Sequence, residues 1–322
     1  VARLANKDFI PRGRFLSGFK CNVSAFKCRI VMLNMHHIRM FHVEHKYKRD
    51  ILVFKAKDYI KNNEEFSIYK DSSSGILWTD VPDHLSHKSY YDPLKYTPHS
   101  ESNSLFQRVY KITQKLMFYY KRLLLGREII NSKRILDFGS GDGAFFKFMA
   151  SSSFKIDALD PLFKAIHIEQ KNFYTKIEEV PDNQYDMVFM WHSLEHVQDL
   201  VNTINEVYKK LTDNGTLVVA VPNHKSFDAS CYKENWAALD VPRHLWHFST
   251  NSIKKIMFQS GFKAKRSFPL LFDAHYISYL SAKNNKSCFP VLSGIFIGAL
   301  SNFIGLFSGE FSSAAYVFKK IS

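Results

Sequence analysis

The sequence predicts an α/β fold, a doubly wound and mostly parallel seven-stranded sheet with an N-terminal extension. Two observations predict it. From about residue 104 onward, short and nearly continuous apolar strands alternate with helical stretches, which is typical of a parallel sheet covered on both faces. A glycine-rich segment also stands where the first of these strands gives way to a helix. With 322 residues, 46% of them apolar, the chain can bury such a core.

The chain divides into three predicted regions. Residues 1–48 are a basic arm or extension without sustained periodicity, and residues 49–100 are a small region rich in β-strands and loops. Residues 101–322 form the main domain, which carries an insertion at 272–309.

The elements before the glycine-rich segment follow from local patterns. Residues 51–82 alternate between short strands and polar turns, and residues 83–103 are typical of a loop. A helix is predicted from Ser104 to Gly126, because apolar residues recur there at helical spacing. They are Leu105, Val109, Ile112, Leu116, Tyr119 and Leu123.

The main domain then alternates regularly between strands and helices. Strands are predicted at 133–138, 154–159, 172–175, 185–190, 216–221, 262–268 and 313–321, and helices at 144–151, 162–170, 193–211 and 251–260. The third helix carries one apolar stripe and ends before Asn214-Gly215. The fourth has Ser249 or Thr250 as its N-cap and Gly261 as its stop.

The net charge of +14 is concentrated at the N-terminus. Residues 1–50 hold 11 Lys and Arg against three acidic residues, so the other 272 residues carry a balance of only +6. Nucleic-acid binding by the main domain is therefore not expected. The first 30 residues lack a continuous apolar core, and the cysteines form no disulfide or zinc pattern. We accordingly expect no signal peptide and a cytoplasmic location.

Residues 135–144, "ILDFGSGDGA", fit two kinds of adenosine-containing ligand. As Gly139-x-Gly141-x-x-Ala144 they match the dinucleotide fingerprint. As Asp137-x-Gly139-x-Gly141-x-Gly143 they resemble the first motif of S-adenosylmethionine-dependent methyltransferases. Asp160, at the end of the second strand, can accept both ribose hydroxyls of either ligand.

Asp137 and the segment after the fourth strand favour the second interpretation. A carboxylate at Asp137 suits the ammonium and sulfonium groups of S-adenosylmethionine and repels a pyrophosphate. Gly143 also stands one residue earlier than the dinucleotide pattern prefers. "YDMVFMWHSLEHVQD" (185–199) resembles class I S-adenosylmethionine-dependent methyltransferases, in the subgroup that contains the ubiquinone-biosynthesis O-methyltransferases. "LDVPRHLWHFS" (239–249) is similar to a segment of the same relatives.

This resemblance spans about residues 90–322 and implies a Rossmann-like fold and methyl transfer with S-adenosylmethionine as cofactor. It implies cofactor contacts from Asp137, Gly139, Ser140, Gly141, Gly143, Asp160, Pro161, Trp191 and His192. His196, His244 and His247 are candidate catalytic bases, because histidine titrates near neutral pH. Some relatives bind a divalent metal through an E-x-x-E-H motif. His192 replaces the first glutamate here, which gives H-x-x-E-H at His192, Glu195 and His196. No metal is therefore expected, and whether these three residues bind one is left open.

The expected function is methyl transfer, most readily to oxygen, on an unidentified small-molecule, glycan or lipid-like acceptor. A non-catalytic S-adenosylmethionine-binding module and an RNA methyltransferase that uses the basic arm are the alternatives. "MWHS" stands where an Asn-Pro-Pro-aromatic motif would indicate methylation of a base nitrogen, which disfavours RNA. The uncharged stretch 289–309 is expected to form a helical cover whose apolar side chains line the acceptor, with at most peripheral membrane contact. The oligomeric state is left open.

Overall fold

The computed structural model describes residues 51–82, 105–152, 154–161 and 173–321. The predicted arm at 1–48, the loop at 83–103 and the helix at 162–170 lie outside the described residues.

The described elements confirm the predicted alternation of strands and helices. In chain order the strands are β1 (Ile51–Lys57), β2 (Glu65–Lys70), β3 (Leu77–Asp80), β4 (Arg134–Phe138), β5 (Lys155–Leu159), β6 (Phe173–Tyr174), β7 (Tyr185–Trp191), β8 (Leu211–Pro222), β9 (Trp246–His247), β10 (Phe262–Pro269) and β11 (Ser313–Lys320). The helices are α1 (Leu105–Leu125), α2 (Arg127–Ile130), α3 (Ala144–Ala150), α4 (Leu200–Lys210), α5 (Phe227–Tyr232), α6 (Thr250–Gln259), α7 (Leu271–Asn284) and α8 (Pro290–Ser308).

The central sheet has seven strands in the order β10-β11-β8-β7-β4-β5-β6. Strand β11 runs antiparallel to both of its neighbours, and the other neighbouring pairs are parallel. One core cluster includes Phe146 and Met149 of α3, and a second includes Ile204 and Val207 of α4. Alternate residues of the strands belong to the two clusters, so both faces of the sheet are covered. The predicted doubly wound, mostly parallel sheet is confirmed.

The strand order reverses between β4 and β7. Strand β4 pairs with β5 on one side and with β7 on the other. In open α/β sheets, ligands bind outside the carboxyl ends of the strands at such a switch point. This position holds the glycine loop after β4 and Trp191 at the end of β7.

The helix predicted at 193–211 is interrupted, which corrects the sequence-based expectation. Leu194–His196 form a single 3₁₀ turn, and α4 begins only after Asp199. The carboxylate of Asp199 accepts a hydrogen bond from the backbone N of Asn202 at 3.0 Å. Because such a cap satisfies the first helical amides, the helix starts there. Strand β8 then begins at Leu211, so Asn214-Gly215 lies inside a strand.

Helix α1 forms as predicted, but part of its expected apolar stripe faces solvent. Ile112, Leu116, Tyr119 and Leu123 are exposed, whereas Leu125 is buried. Helical spacing alone does not say which of two apolar rows meets the core, and here Phe118 and Leu124 pack against it.

Strands β1, β2, β3 and β9 form a second, antiparallel sheet. The pair Leu77–His247 joins β3 to the segment 239–249, which carries the candidate bases His244 and His247. A buried ion pair of 2.9 Å between Asp58 and Arg243 links the same two parts of the chain. Residues 51–82 therefore help to build the surroundings of the site.

The insertion folds into a hairpin of α7 and α8. The helices pack closely, since a Cβ added at Gly298 would lie 2.7 Å from the Cα of His275. Helix α8 is long and apolar enough, by length and composition alone, to cross a membrane. The inward face of α8 consists of small residues, and most of the large apolar side chains of 289–309 are exposed instead. The expectation that they line the acceptor is therefore wrong for Phe289, Phe296, Leu300, Phe303 and Phe307.

Candidate functional site

The glycine loop after β4 combines close packing with open space. Gly139 and Gly141 have φ values of 76° and 52°, a region that residues with a side chain rarely adopt. A Cβ at Gly139 would lie 2.4 Å from the Cβ of Ser193, so this glycine lets the ends of β4 and β7 approach each other. A Cβ at Gly141 would meet no atom within 4 Å. The space beside Gly141 is therefore open to a ligand.

Asp160 connects the end of β5 to this loop. Its Oδ2 accepts a hydrogen bond from the backbone N of Gly141 at 2.8 Å. Asp160 is buried, and Pro161 follows it with a fixed φ. The carboxylate thus stands beside the open loop, where the predicted contact with a ribose would have to form.

Asp137 is a buried carboxylate with an incomplete set of partners. Its side chain is 2% exposed, and within the described residues its Oδ2 has no hydrogen-bond partner. Burial raises the pKa of Asp137 to about 7, and the nearby ammonium of Lys121 opposes that rise. Burying a carboxylate in this way is costly unless another group completes its interactions. A cationic ligand would do so.

Two further buried polar groups near the loop also lack partners within the described part of the chain. They are the Oγ of Ser140 and the indole Nε1 of Trp191. The Nζ of Lys121 lies 4.3 Å from the centroid of the Trp191 ring, and the Phe145 ring packs 5.8 Å from it. A loop with open space, a carboxylate and unsatisfied polar atoms fits a ligand that carries a positive charge together with hydroxyl and amino groups.

His192 is held between two carboxylates at the end of β7. Its Nδ1 lies 3.3 Å from Oε1 of Glu195, and its Nε2 lies 3.1 Å from Oδ2 of Asp273. Burial alone would lower the pKa of His192, but Asp273 and Glu195 raise it to about 9. At neutral pH this residue is therefore an imidazolium that ties β7 to α7.

Glu195, His196 and His244 come together beside His192. One candidate ligand atom from each lies within 4.8 Å of the others. Glu195 is fully buried, and its carboxylate oxygens accept no hydrogen bond of good geometry from the described residues. The Nδ1 atoms of His196 and His244 lie 3.0 and 2.8 Å from the backbone oxygens of Arg243 and Ala238. Such carbonyls orient imidazole rings and leave the lone pair on Nε2.

Two imidazoles and a carboxylate are suitable ligands for a divalent transition-metal ion. The residues present therefore fit a metal, although the sequence led us to expect none. The set differs from the H-x-x-E-H motif, because His244 joins it and His192 pairs with carboxylates instead. The cluster also suits proton transfer. Burial and His244 lower the pKa of His196 to about 4, so that ring is neutral at physiological pH.

His247, the third predicted catalytic histidine, has a structural position. It is buried in β9, and its Nε2 lies 2.9 Å from the hydroxyl of Thr79. Burial lowers its pKa well below the usual value. A buried ring that contacts Thr79 is poorly placed to take a proton from an acceptor, so the geometry favours a structural role for His247 and its catalytic role stays a prediction.

Comparison with known proteins identifies the domain. Residues 109–266 match the family model described as a methyltransferase domain. This chain contains a methyltransferase domain. It is also 24% identical over 209 residues to the ubiquinone biosynthesis O-methyltransferase of Rickettsia typhi, an alignment that covers 56% of this chain and 82% of that protein.

Solved methyltransferase structures overlap with the chain in part. Phosphoethanolamine N-methyltransferase 2 of Haemonchus contortus, solved with S-adenosyl-L-methionine, gives a TM-score of 0.47 at 15% identity, covering 94% of this chain and 75% of that one. An S-adenosylmethionine-dependent methyltransferase from Archaeoglobus fulgidus gives 0.43 at 19% identity, covering 64% and 94%. The family match, and not these overlaps, identifies the domain.

The family match and the curated relative make the chain an S-adenosylmethionine-dependent methyltransferase. The open glycine loop, the buried carboxylate of Asp137 and the unsatisfied Ser140 and Trp191 fit S-adenosylmethionine as the cofactor of the methyltransferase.

The structure adds two residues to the site that sequence reasoning did not include. Lys121 of α1 reaches Trp191, and Asp273 of α7 reaches His192. Lys121 and Arg122 stand together between apolar residues of α1, and Asp273 is the only acidic residue between Leu271 and Phe307. These charges were the available signals, but neither indicates which distant partner a side chain meets.

Proposed function

We propose that the methyltransferase transfers its methyl group to a hydroxyl oxygen of a small-molecule, glycan or lipid-like acceptor. The observation that carries the proposal is the cluster of Glu195, His196 and His244 beside Trp191 and His192. A buried carboxylate with two oriented imidazoles, next to the cofactor loop, suits the removal of a hydroxyl proton. The O-methyltransferase name of the Rickettsia typhi relative agrees with oxygen as the target.

In the proposed cofactor site, Asp137 faces the ammonium group, Asp160 accepts the ribose hydroxyls, and the loop at Gly139, Ser140, Gly141 and Gly143 contacts the ligand through its backbone. Pro161, Trp191 and His192 complete the surroundings as predicted contacts. The buried Asp137 and the open space beside Gly141 support this assignment.

The reaction is a direct displacement. The acceptor oxygen attacks the methyl carbon of the sulfonium, the new C–O bond forms as the C–S bond breaks, and S-adenosylhomocysteine leaves with the electron pair. Alignment of the two reactants in a closed site supplies most of the acceleration.

The acceptor proton passes to a ring nitrogen of the histidine pair. We assign this role to His244, because the low pKa of His196 means that His196 holds a proton poorly. Glu195 lies close enough to stabilise the resulting imidazolium. A divalent ion bound by Glu195, His196 and His244 would act instead by lowering the pKa of the acceptor hydroxyl.

The experiment that tests the function uses purified protein, labelled S-adenosylmethionine and a fractionated cell extract. Label that enters small molecules, glycan or lipid and is identified there as a methyl ether supports the proposal. Label in RNA supports the alternative that uses the basic arm. Cofactor binding by calorimetry without label in any fraction would indicate a non-catalytic binding module.

A further inference from the structure

The outward face of α8 is unusually apolar for a protein surface. Large side chains on it are more than two-fifths exposed, and Phe307 reaches 79%. They include Leu292, Ile295, Phe296, Phe303, Leu306 and Phe307. The α8 stretch has a mean hydropathy of 1.8 and contains no charged residue. Continuous apolar surfaces of this kind mark sites of interaction with a protein or a membrane.

The inward face fixes α8 to the domain along its length. Gly294 and Gly298 lie against α7, where an added Cβ would come within 2.8 Å of Tyr279 or His275. The Oγ of Ser301 donates to the buried carboxylate of Asp228 at 2.6 Å. The next residue is Asn302, whose side-chain amide donates to the backbone oxygen of Leu271 at 2.9 Å.

These contacts exclude a spanning orientation for α8 in the folded domain. If α8 crossed a bilayer, it would carry α7 into the hydrocarbon with Asp273, His275 and Lys283. Charged side chains at that depth are expensive. A helix with one apolar face outward and one face attached to a soluble domain suits the plane of the membrane surface.

The charges around the hairpin indicate what kind of surface the exposed face of α8 would bind. Between Asp273 and Glu310 the chain has no acidic residue, and Asp273 is turned inward to His192. Lys283 and Lys286, at the turn between the helices, are both exposed. Anionic lipid headgroups would pair with these lysines, which have no acidic residue beside them in the hairpin sequence.

We propose that α8 is an interfacial helix that binds this methyltransferase to the surface of a bilayer containing anionic lipid. The aromatic side chains enter the boundary between headgroups and acyl chains, and the lysines of the turn contact the phosphates. The same hairpin contributes Asp273 to the site, so binding places the acceptor side of the site near the lipid. The inference extends the proposed function toward acceptors that reside in or on a membrane, but its test does not depend on methyl transfer.

The test measures co-sedimentation of the full chain with preformed vesicles of phosphatidylcholine alone or mixed with phosphatidylglycerol. We expect binding to the mixed vesicles and much weaker binding to phosphatidylcholine alone. The triple variant Phe296→Ser, Phe303→Ser, Phe307→Ser keeps the charge and should lower the partition coefficient at least about 100-fold. Phe258→Ser is the matched control, because Phe258 is an equally exposed phenylalanine on α6.

Several outcomes would overturn the inference. Unchanged binding of the triple variant would assign vesicle binding to another part of the chain, such as the basic residues of 1–50. A wild type that ignores both vesicles, and whose lipid-free dimer dissociates in the triple variant, would make this face an interface between copies. Calorimetry with S-adenosylhomocysteine shows that each variant is folded, and it keeps failure of this inference distinct from failure of the proposed reaction.

Discussion

At the scale of single residues, Gly141 offers the sharpest test of the cofactor loop. We expect Gly141→Val to fold and to lose S-adenosylhomocysteine binding, because the branched side chain would fill the space that a ligand needs. Isothermal calorimetry measures the affinity and circular dichroism the fold.

Gly75 provides the control for backbone strain. It has a φ of 77°, and a Cβ there also meets no atom within 4 Å, but it lies in the turn between β2 and β3. A side chain at either glycine strains the backbone, so Gly75→Val and Gly141→Val should each lower the free energy of unfolding by about 1–2 kcal/mol. Only Gly75→Val should keep the cofactor affinity of the wild type. If both variants bind the cofactor like the wild type, the loop is not the binding site.

Asp137 should make cofactor binding depend on pH. With its pKa raised to about 7 in the unliganded protein, the carboxylate is protonated below that value and no longer attracts an ammonium group. Affinity for S-adenosylhomocysteine should therefore fall as the pH drops from about 7.5 to 6, by up to about tenfold per unit. Calorimetry of Asp137→Asn over the same range should give a weak and nearly flat profile.

The same residue predicts the stability of the unliganded protein. A folded pKa above the unfolded value means that the folded state binds the extra proton, so this contribution is present below about pH 4 and is lost as the pH rises through about 7. Asp137→Asn should therefore raise the melting temperature at pH 8 while weakening cofactor binding. A variant that is less stable at pH 8 would show that Lys121 and Asp137 form a net stabilising pair.

His244 carries the proposed proton transfer. His244→Gln should lower kcat by roughly 10²–10⁴ for a hydroxyl acceptor, with cofactor affinity unchanged. His247→Gln is the contrast, since His247 contacts Thr79 and should affect stability more than kcat. Equal losses of kcat in both variants, or full activity of His244→Gln, would remove His244 from the mechanism.

Activity that vanishes with a chelator and returns with Mn²⁺ or Zn²⁺ would assign the cluster to a metal.

At the scale of elements, the strands were easier to predict than the helices and their faces. A short, continuous apolar run such as the one in β7 is typical of a strand in a sheet whose two faces are both buried. The 193–211 stretch has an apolar stripe through its whole length, so its periodicity did not reveal the break. The cap at Asp199 decides where α4 begins, and the 3₁₀ turn before it places Glu195 and His196 in the site.

The sheet of β1 to β3 should depend on the buried guanidinium of Arg243, which pairs with Asp58 and with Asp240. Arg243→Met leaves both carboxylates without this partner, which we expect to destabilise the fold by about 3–5 kcal/mol. The double variant Asp58→Asn, Arg243→Met removes the more deeply buried of the two stranded charges and should recover part of that loss. Urea unfolding of the three proteins measures it. Equal stabilities of wild type and Arg243→Met would show that the ion pair does not secure this sheet.

At the scale of the whole molecule, the cofactor half of the site could be predicted because it lies on consecutive strand ends. The glycine loop, Asp160 and Trp191 follow β4, β5 and β7, which the switch point brings to one edge. Contacts between distant parts of the chain could not be predicted in this way. Lys121 meets Trp191 across 70 residues, and Asp273 meets His192 across 81 residues, with no periodicity that relates them.

A ligand that binds only the folded state stabilises the whole chain, and this decides between the two interpretations of the glycine loop. At about 100 times its Kd, S-adenosylhomocysteine should add about 2.7 kcal/mol to the free energy of unfolding. For a chain of this size that corresponds to a rise in melting temperature of roughly 4 °C. NADH should produce no such rise at pH 8, where Asp137 is ionised and repels a pyrophosphate. Differential scanning fluorimetry with both ligands measures it, and a shift with NADH alone would restore the dinucleotide interpretation.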